Sequence, residues 1–306
     1  MLNIKKEKTL AGKMKVAIYG RNFDESFTES IHEFFKRLKY YNCEISVYKP
    51  FYNFLVDEIW FDPPIEGVFT SHLDMAAETG IMFTIGGDGT FLETINLVRN
   101  SGIPIVGINS GRLGFLANIS RGEITKAIDT IFEKKYTFEK RSLLKFESPL
   151  GHFADFPYGL NEFTVHKKDT SSMITVHVYV NDEYLNSYWT DGLIISTPTG
   201  STAYSLSVGG PIVFPELNNF IIAPIAPHNL TVRPVVLSDE YEIKLKVEGR
   251  SSDFMATLDS RSEIFEMDTE IIVKRSEFSI NVLKIQGYSF SNTIRNKLMW
   301  GADRRN

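Results

Sequence analysis

Ile81-Met82-Phe83-Thr84-Ile85-Gly86-Gly87-Asp88-Gly89-Thr90 decides how this chain is read. The apolar run forms a buried strand, and the glycines that follow end it in a turn. Phe91 to Arg99 then reads as a helix. Three glycines let the backbone take positive φ and approach a ligand closely. Backbone N–H groups at a helix start suit phosphate oxygens. Asp88 does not, because two anions repel; it must hold a metal, accept a proton or bind a hydroxyl. Phosphate-friendly backbone beside a carboxylate is what moving a phosphoryl group onto an alcohol requires. The bland alternative is a tight turn with Asp88 as a helix cap, but a cap needs fewer glycines.

On either side of this stretch, strands and helices alternate. Lys15 to Tyr19 is a short strand, and Glu25 to Leu38 carries Phe27, Ile31, Phe34, Phe35 and Leu38 at helical spacing. Ile45 to Tyr48 and Ile103 to Ile108 are further strands. The latter runs into Asn109-Ser110-Gly111-Arg112-Leu113-Gly114-Phe115, and Arg121 to Glu133 is again helical. Such alternation predicts an α/β domain with a parallel sheet and right-handed crossovers. Ligands gather at the carboxyl ends of such strands, where both glycine turns lie.

Near Arg141 the texture changes. Leu144 to Glu147, Gly159 to His166, Thr175 to Val180, Leu193 to Ser196, Tyr241 to Val247, Phe254 to Leu258, Glu270 to Val273 and Ser279 to Leu283 follow as short strands. They predict a largely antiparallel β domain over residues 142–286. The α/β domain would cover 1–141, with Phe290 to Leu298 as a final helix and 287–306 returning to it.

Composition narrows the function classes. Of 306 residues, 43% are hydrophobic and 23% charged, with 33 basic against 38 acidic side chains and a net charge of −5. No basic run points to nucleic acid. Cys43 is the only cysteine, which excludes an intrachain disulfide and a cysteine zinc cage. Met1 to Lys13 lacks the apolar core of a signal peptide, and no apolar run approaches the ~20 residues of a membrane span. A reducing cytoplasm is the expected compartment.

A second motif is Asp191-Gly192-Leu193-Ile194-Ile195-Ser196-Thr197-Pro198-Thr199-Gly200-Ser201-Thr202-Ala203-Tyr204. Four hydroxyls in the Thr197 to Thr202 turn could bind a ribose, a base edge or phosphate oxygens. Tyr204 offers a flat face to a base. A helix cap would explain one or two of these hydroxyls, not all four. Asn161-Glu162, an amide beside a carboxylate in a strand, could read an adenine edge and a sugar diol, or be a solvated strand end. Ile225-Ala226-Pro227-His228 and Arg233-Pro234 form a rigid wall or a plain loop.

Taken together, Gly86 to Thr90, Gly111 to Phe115, Asn161-Glu162, Asp191 to Tyr204, Pro227-His228 and Arg233-Pro234 resemble the NAD kinase family from roughly Met14 to Leu283. The Gly-Gly-Asp-Gly-Thr turn is shared with lipid kinases; the Thr-Pro-Thr-Gly-Ser-Thr-Ala-Tyr run and the Asn-Glu pair are more specific. The resemblance implies a two-domain fold with NAD in the crevice. The reaction implied is ATP + NAD → ADP + NADP, with phosphate placed on the 2′-hydroxyl of the adenosine ribose. It also implies a divalent metal, magnesium by preference, brought with ATP, polyphosphate as donor in some relatives, and a homodimer or homotetramer.

Site roles follow from the same resemblance. Asp88 would bind the 2′-hydroxyl and act as general base; a carboxylate is a weak base, so the proton must pass as the hydroxyl attacks. Gly86, Gly87 and Gly89 would leave room for phosphates, with Thr90 and Arg112 beside them and Gly89 also bordering the NAD, and Phe115 would line the adenosine pocket. Asn161 and Thr199 would bond the adenine, with Tyr204 packed on it. Glu162 would hold the nicotinamide ribose diol, Asp191 and Ala226 the nicotinamide amide, and Thr202 and Ala203 would line the groove. No residue is assigned to a metal, and no Walker-type lysine is present. One departure stands out. Asp259-Ser260-Arg261 replaces the family's usual Asp-Gly-Gln, and serine at a positive φ would cost flexibility. A lipid kinase sharing the glycine turn would need an apolar acceptor pocket or a basic amphipathic helix. A non-catalytic NAD(P) sensor would bind NADP without turning over ATP.

Overall fold

The computed structural model describes residues 13–76, 78–168 and 172–300; the N-terminal stretch that lacks the apolar core of a signal peptide lies, but for Lys13, outside them, as do the last six residues of the segment expected to return. In the first half the elements are β1 (Lys15–Gly20), α1 (Thr28–Tyr40), β2 (Glu44–Tyr48), α2 (Lys49–Asp57), β3 (Gly67–Phe69), β4 (Ile81–Gly86), α3 (Asp88–Val98), β5 (Ile105–Asn109) and α4 (Ile124–Phe132). Strands β3-β2-β1-β4-β5 pair in parallel in that order. Along β1, Val16 and Ile18 join the core under α1, α2 and α4, while Ala17 and Tyr19 join the core under α3. A parallel sheet must be covered on both faces, because its crossover helices lie there.

The second half contains β6 (Tyr136–Glu147), β7 (Tyr158–Gly159), β8 (Glu162–Lys167), β9 (Ile174–Val180), β10 (Glu183–Thr190), β11 (Gly192–Ser196), α5 (Tyr204–Ser207), β12 (Asn219–Ile225) and β13 (Val235–Ser238). It continues with β14 (Ile243–Glu248), β15 (Asp253–Leu258), β16 (Arg261–Glu266), β17 (Ile271–Ile285) and α6 (Phe290–Leu298). One antiparallel sheet runs β13-β12-β11-β8-β15-β16. Its inner side chains, such as Phe163, Val165, Leu193 and Phe254, pack against Val176, Val178, Leu245 and Val273 of the other sheet.

That other sheet is continuous through the whole molecule. Residues 270–273 and 279–283 are two strands on sequence grounds, but they are one strand, β17, with a register shift between Arg275 and Ser279. Its first part pairs with β14, and Val282 pairs in parallel with Ile105 of β5. β6 follows β17 along nearly its full length, so the boundary expected at Arg141 falls inside a strand. The Gly159 to His166 segment is divided instead into β7 and β8. Among the described residues no helix is long and apolar enough to cross a membrane.

Candidate active site

The carboxyl ends of β1, β4 and β5 lie on one edge, with Gly20 opposite Ile85 and Gly86 opposite Asn109. α3 begins at Asp88 itself, with Gly87 as N-cap and no side-chain cap, so Asp88 is not a capping residue. Of the three glycines only Gly86 has positive φ (154°), and a Cβ there would fall 2.3 Å from Thr90 Oγ1. Gly87 and Gly89 are exposed, and a Cβ on either would meet nothing within 4 Å. Their value is the open space above the first turn of α3, not an unusual backbone.

Asp88 reaches across to the loop after β5. Asn109 shapes that loop by accepting the Gly111 N–H (2.7 Å) and donating to the Arg112 carbonyl (2.7 Å). The loop then turns back, and Phe115 N–H donates to Asp88 Oδ2 at 2.8 Å. Leu116 and Ala117 N–H donate to Oδ1 at 2.9 and 3.0 Å. Gly114 permits this approach, since a Cβ there would lie 2.0 Å from Oδ1. A carboxylate offers about four acceptor sites. Three are filled, and the spare one is on Oδ2, which Lys297 Nζ of α6 approaches to 3.6 Å.

Sequence reasoning missed Lys297; the available signal was a basic residue in the last turn of a helix expected to return. It missed as well the cluster beside the glycine turn, where Glu93 accepts from Tyr19 (2.8 Å) and from Arg21 twice (2.8 and 2.7 Å). Burial opposes ionisation of Glu93, yet these partners hold its pKa below the usual range. Arg112 is exposed.

The second constellation sits at the Glu162 end of β8. Asp259, in the β15–β16 turn, accepts N–H groups from Leu160 (2.8 Å), Asn161 (2.8 Å) and Glu162 (3.1 Å). Positive φ in that turn belongs to Asp259 (52°) and not to Ser260, so the strain expected from serine in place of glycine does not arise. Arg261 donates to the carbonyls of Phe156 and Tyr158 and fixes the preceding loop. Glu162 is only 9% exposed and its Oε2 is buried with no hydrogen-bond partner. Burial and the neighbouring Asp259 push its pKa up to about 8, opposed by the Tyr204 N–H.

The four hydroxyls divide into two kinds. Thr197 bonds the Leu160 carbonyl, and Ser201 exchanges bonds with Val213 (3.2 and 3.0 Å); both are fully buried braces. Thr199 Oγ1 accepts from Arg141 Nη1 (3.3 Å), and Thr202 donates to the Thr199 carbonyl (3.3 Å). For Thr197 and Ser201 the plain structural explanation therefore suffices. Gly200 packs on Asn161, where a Cβ would fall 2.1 Å from the carbonyl oxygen. This brings Asn161, Glu162 and Thr199 to Tyr204 into one group. Thr202 and Ala203 are partly exposed; Tyr204 is 37% exposed, and its ring stacks on His166 at 5.7 Å. Asp191 N–H bonds Ile225 (3.0 Å), beside exposed Ala226, and Lys167 Nζ reaches its carboxylate at 2.6 Å. His228 packs on Trp189 at 4.4 Å.

Two links join the constellations. Phe290 of α6 contacts both Phe115 (6.2 Å) and Phe214 (5.2 Å), next to the Val213 that Ser201 holds. Arg141, which touches Thr199, lines a small cavity together with Phe115, Leu116 and Phe290. Arg141 is buried and ion-paired to Glu139, whose Oε1 nevertheless lacks a well-aligned hydrogen bond.

Family models match the ATP-NAD kinase N-terminal domain over residues 17–136 and the ATP-NAD kinase C-terminal domain over residues 160–285. The NAD kinase of Flavobacterium psychrophilum is 46% identical over 295 residues, covering 96% of this chain and 100% of the relative. The chain belongs to the NAD kinase family. The NAD kinase of Bacteroides fragilis is 42% identical over 292 residues, covering 95% of this chain and 100% of that protein. A yeast NADH kinase complexed with NADH shares the fold with a TM-score of 0.83 at 23% identity, covering 96% of this chain and 90% of the other. An NAD kinase from Archaeoglobus fulgidus in complex with ATP has a TM-score of 0.70 at 26% identity, covering 94% and 99%.

Among the described residues no cluster of three or more His, Cys, Asp or Glu could hold a metal. At the glycine turn Glu93 is engaged by Tyr19 and Arg21, and Asp88 keeps one acceptor site on Oδ2.

Proposed function

We propose that this chain transfers the terminal phosphate of ATP to the 2′-hydroxyl of the adenosine ribose of NAD, giving NADP and ADP. The observation that carries this reading is the spare acceptor site on Asp88 Oδ2 beside the open first turn of α3. The 2′-oxygen bonds to the γ-phosphorus, the bond from that phosphorus to the β,γ-bridging oxygen breaks, and the hydroxyl proton goes to Asp88. Positioning and charge neutralisation supply most of the catalysis of such transfers.

Gly86, Gly87, Gly89, Thr90 and Arg112 border the phosphates in this reading, and Phe115 the adenosine. Asn161 and Thr199 address the adenine, and Tyr204 packs on it with the ring face opposite His166. The unpartnered Glu162 Oε2 suits a sugar diol, and Asp191 with Ala226 suits the carboxamide. A divalent cation, magnesium by preference, arrives as part of the ATP substrate; among the described residues no group of three or more His, Cys, Asp or Glu forms a cage for it. Polyphosphate as donor, a homodimer or homotetramer, and a cytoplasmic location belong to the same proposal. No observation favours a lipid acceptor or a silent sensor.

The test is NADP formation from NAD with ATP and Mg²⁺, with Asp88→Asn run alongside. Product from the wild type and not from the variant supports both kinase and base. No product from the wild type sinks the reading.

A further inference from the structure

Lys297 is placed by a well-anchored helix. Ser289 Oγ caps α6 by accepting the Asn292 N–H (3.2 Å), Ile294 is 1% exposed, and Phe290 is held between Phe115 and Phe214. This anchoring brings the Lys297 ammonium to 3.6 Å from Asp88 Oδ2 and 4.7 Å from the Phe115 ring centre. A separation of 3.6 Å is an ion pair, too long for a hydrogen bond. Among the described residues its three N–H donors have no hydrogen-bond acceptor. A lysine in the last turn is favoured by the helix dipole anyway, but the dipole does not require that it face a carboxylate 209 positions away. The neighbouring Arg21 is committed to Glu93, and Arg112 is exposed.

The geometry also fixes where the reacting atoms must pass. With Oδ1 filled by two N–H groups, an attacking hydroxyl can reach Asp88 only at the spare site on Oδ2, the oxygen on the Lys297 side. In a reactive arrangement the phosphorus lies about 3–3.5 Å from the attacking oxygen. The phosphoryl oxygens then come within reach of an ammonium already beside Oδ2.

We propose that Lys297 is a further catalytic residue, whose ammonium donates hydrogen bonds to a non-bridging oxygen of the phosphoryl group in flight. This rests on the kinase reading above. Arrival of the phosphate exchanges Asp88 for phosphate as the lysine's partner, and Oδ2 is freed to take the hydroxyl proton. The lysine transfers no proton; it neutralises charge while the bond to the 2′-oxygen forms and the bond to the bridging oxygen of ADP breaks. Such a preorganised donor is worth about 10²–10³-fold in turnover.

The experiment measures NADP formation by the full chain for wild type, Lys297→Met and Lys297→Arg, with NADP affinity by calorimetry and the melting temperature of each. Expected are a fall in kcat of about 10²-fold for Lys297→Met, an NADP Kd within twofold of wild type, and recovery of at least tenfold by Lys297→Arg. A Lys297→Met kcat within twofold of wild type overturns the role. So does an equal loss in both variants accompanied by a lowered melting temperature, which marks a packing role. A wild type that forms no NADP overturns the kinase reading instead, and a wild type that does leaves the lysine alone on trial.

Discussion

Asp88 and Asp259 are the same device used twice. Each carboxylate accepts three consecutive backbone N–H groups from a remote segment, two on Oδ1 and one on Oδ2. Asp88 clasps residues 115–117 in the α/β domain, and Asp259 clasps 160–162 in the β domain. Their surroundings differ. The Asp259 carboxyl points inward, and burial raises its pKa despite the three donors. The Asp88 side chain remains 30% exposed, with open glycine backbone on one side and a lysine on the other. A carboxylate with satisfied oxygens in the interior is a staple. The same carboxylate with one acceptor site turned to solvent can also do chemistry.

The comparison is broken most directly by Asp88→Asn. Loss of a general base lowers kcat by about 10²–10⁴-fold, with NAD affinity largely kept; near-normal turnover would make Asp88 a staple like its counterpart. Asp259→Asn should do the reverse. Removing an acceptor from buried N–H groups costs about 1–3 kcal/mol, measurable by urea unfolding, while kcat per folded molecule stays within a few-fold. Lost turnover at full stability would erase the distinction. Gly114→Ala sharpens it, because the added methyl collides with Asp88 Oδ1. Turnover should drop about tenfold or more, as expected when a reacting group is displaced by about 1 Å, and unchanged kinetics would show that the clasp is dispensable.

Smaller effects test the second region. Tyr204→Ala should weaken NAD binding by about 0.5–1.5 kcal/mol, the usual worth of an aromatic pair beyond its buried area; an unchanged Kd would leave the ring as packing on His166 alone. Glu162 offers a pH test. Its folded pKa of about 8 lies above the ordinary 4.5, so between those values the folded state holds more protons than the unfolded state. Stability from this group is present at low pH and is lost as pH rises through 8. Glu162→Gln should therefore melt above wild type near about pH 9 and level with it near about pH 4. The same difference at both pH values would refute the shift.

Legibility followed distance along the chain. The strand–turn–helix around Asp88, α6 and the antiparallel character of the second half were readable because periodicity and glycine placement act within a few residues. The family resemblance was legible as well, because its motifs are short and contiguous. The fate of the hydroxyls at 197 and 201 was not, since a buried threonine and a ligand-binding threonine look alike until their partners are known. The conformation of Ser260 was not legible either, because which turn position takes positive φ depends on the hairpin as a whole.

What the sequence determined by itself was the two-domain class, the order of most elements and the carboxylate at the glycine turn. All of these are set by local conformational preference and by patterns of burial. Only the tertiary structure decided that β6 and β17 tie both domains into one sheet, that Asp88 and Asp259 are matched clasps, and that Lys297 returns to Asp88 from the far end of the chain. The Asp88 clasp spans about 27 positions, and the other contacts join residues about a hundred to two hundred positions apart. Local propensity carries no information about such pairs; they are selected by the packing of the whole core, which forms only when every element is in place.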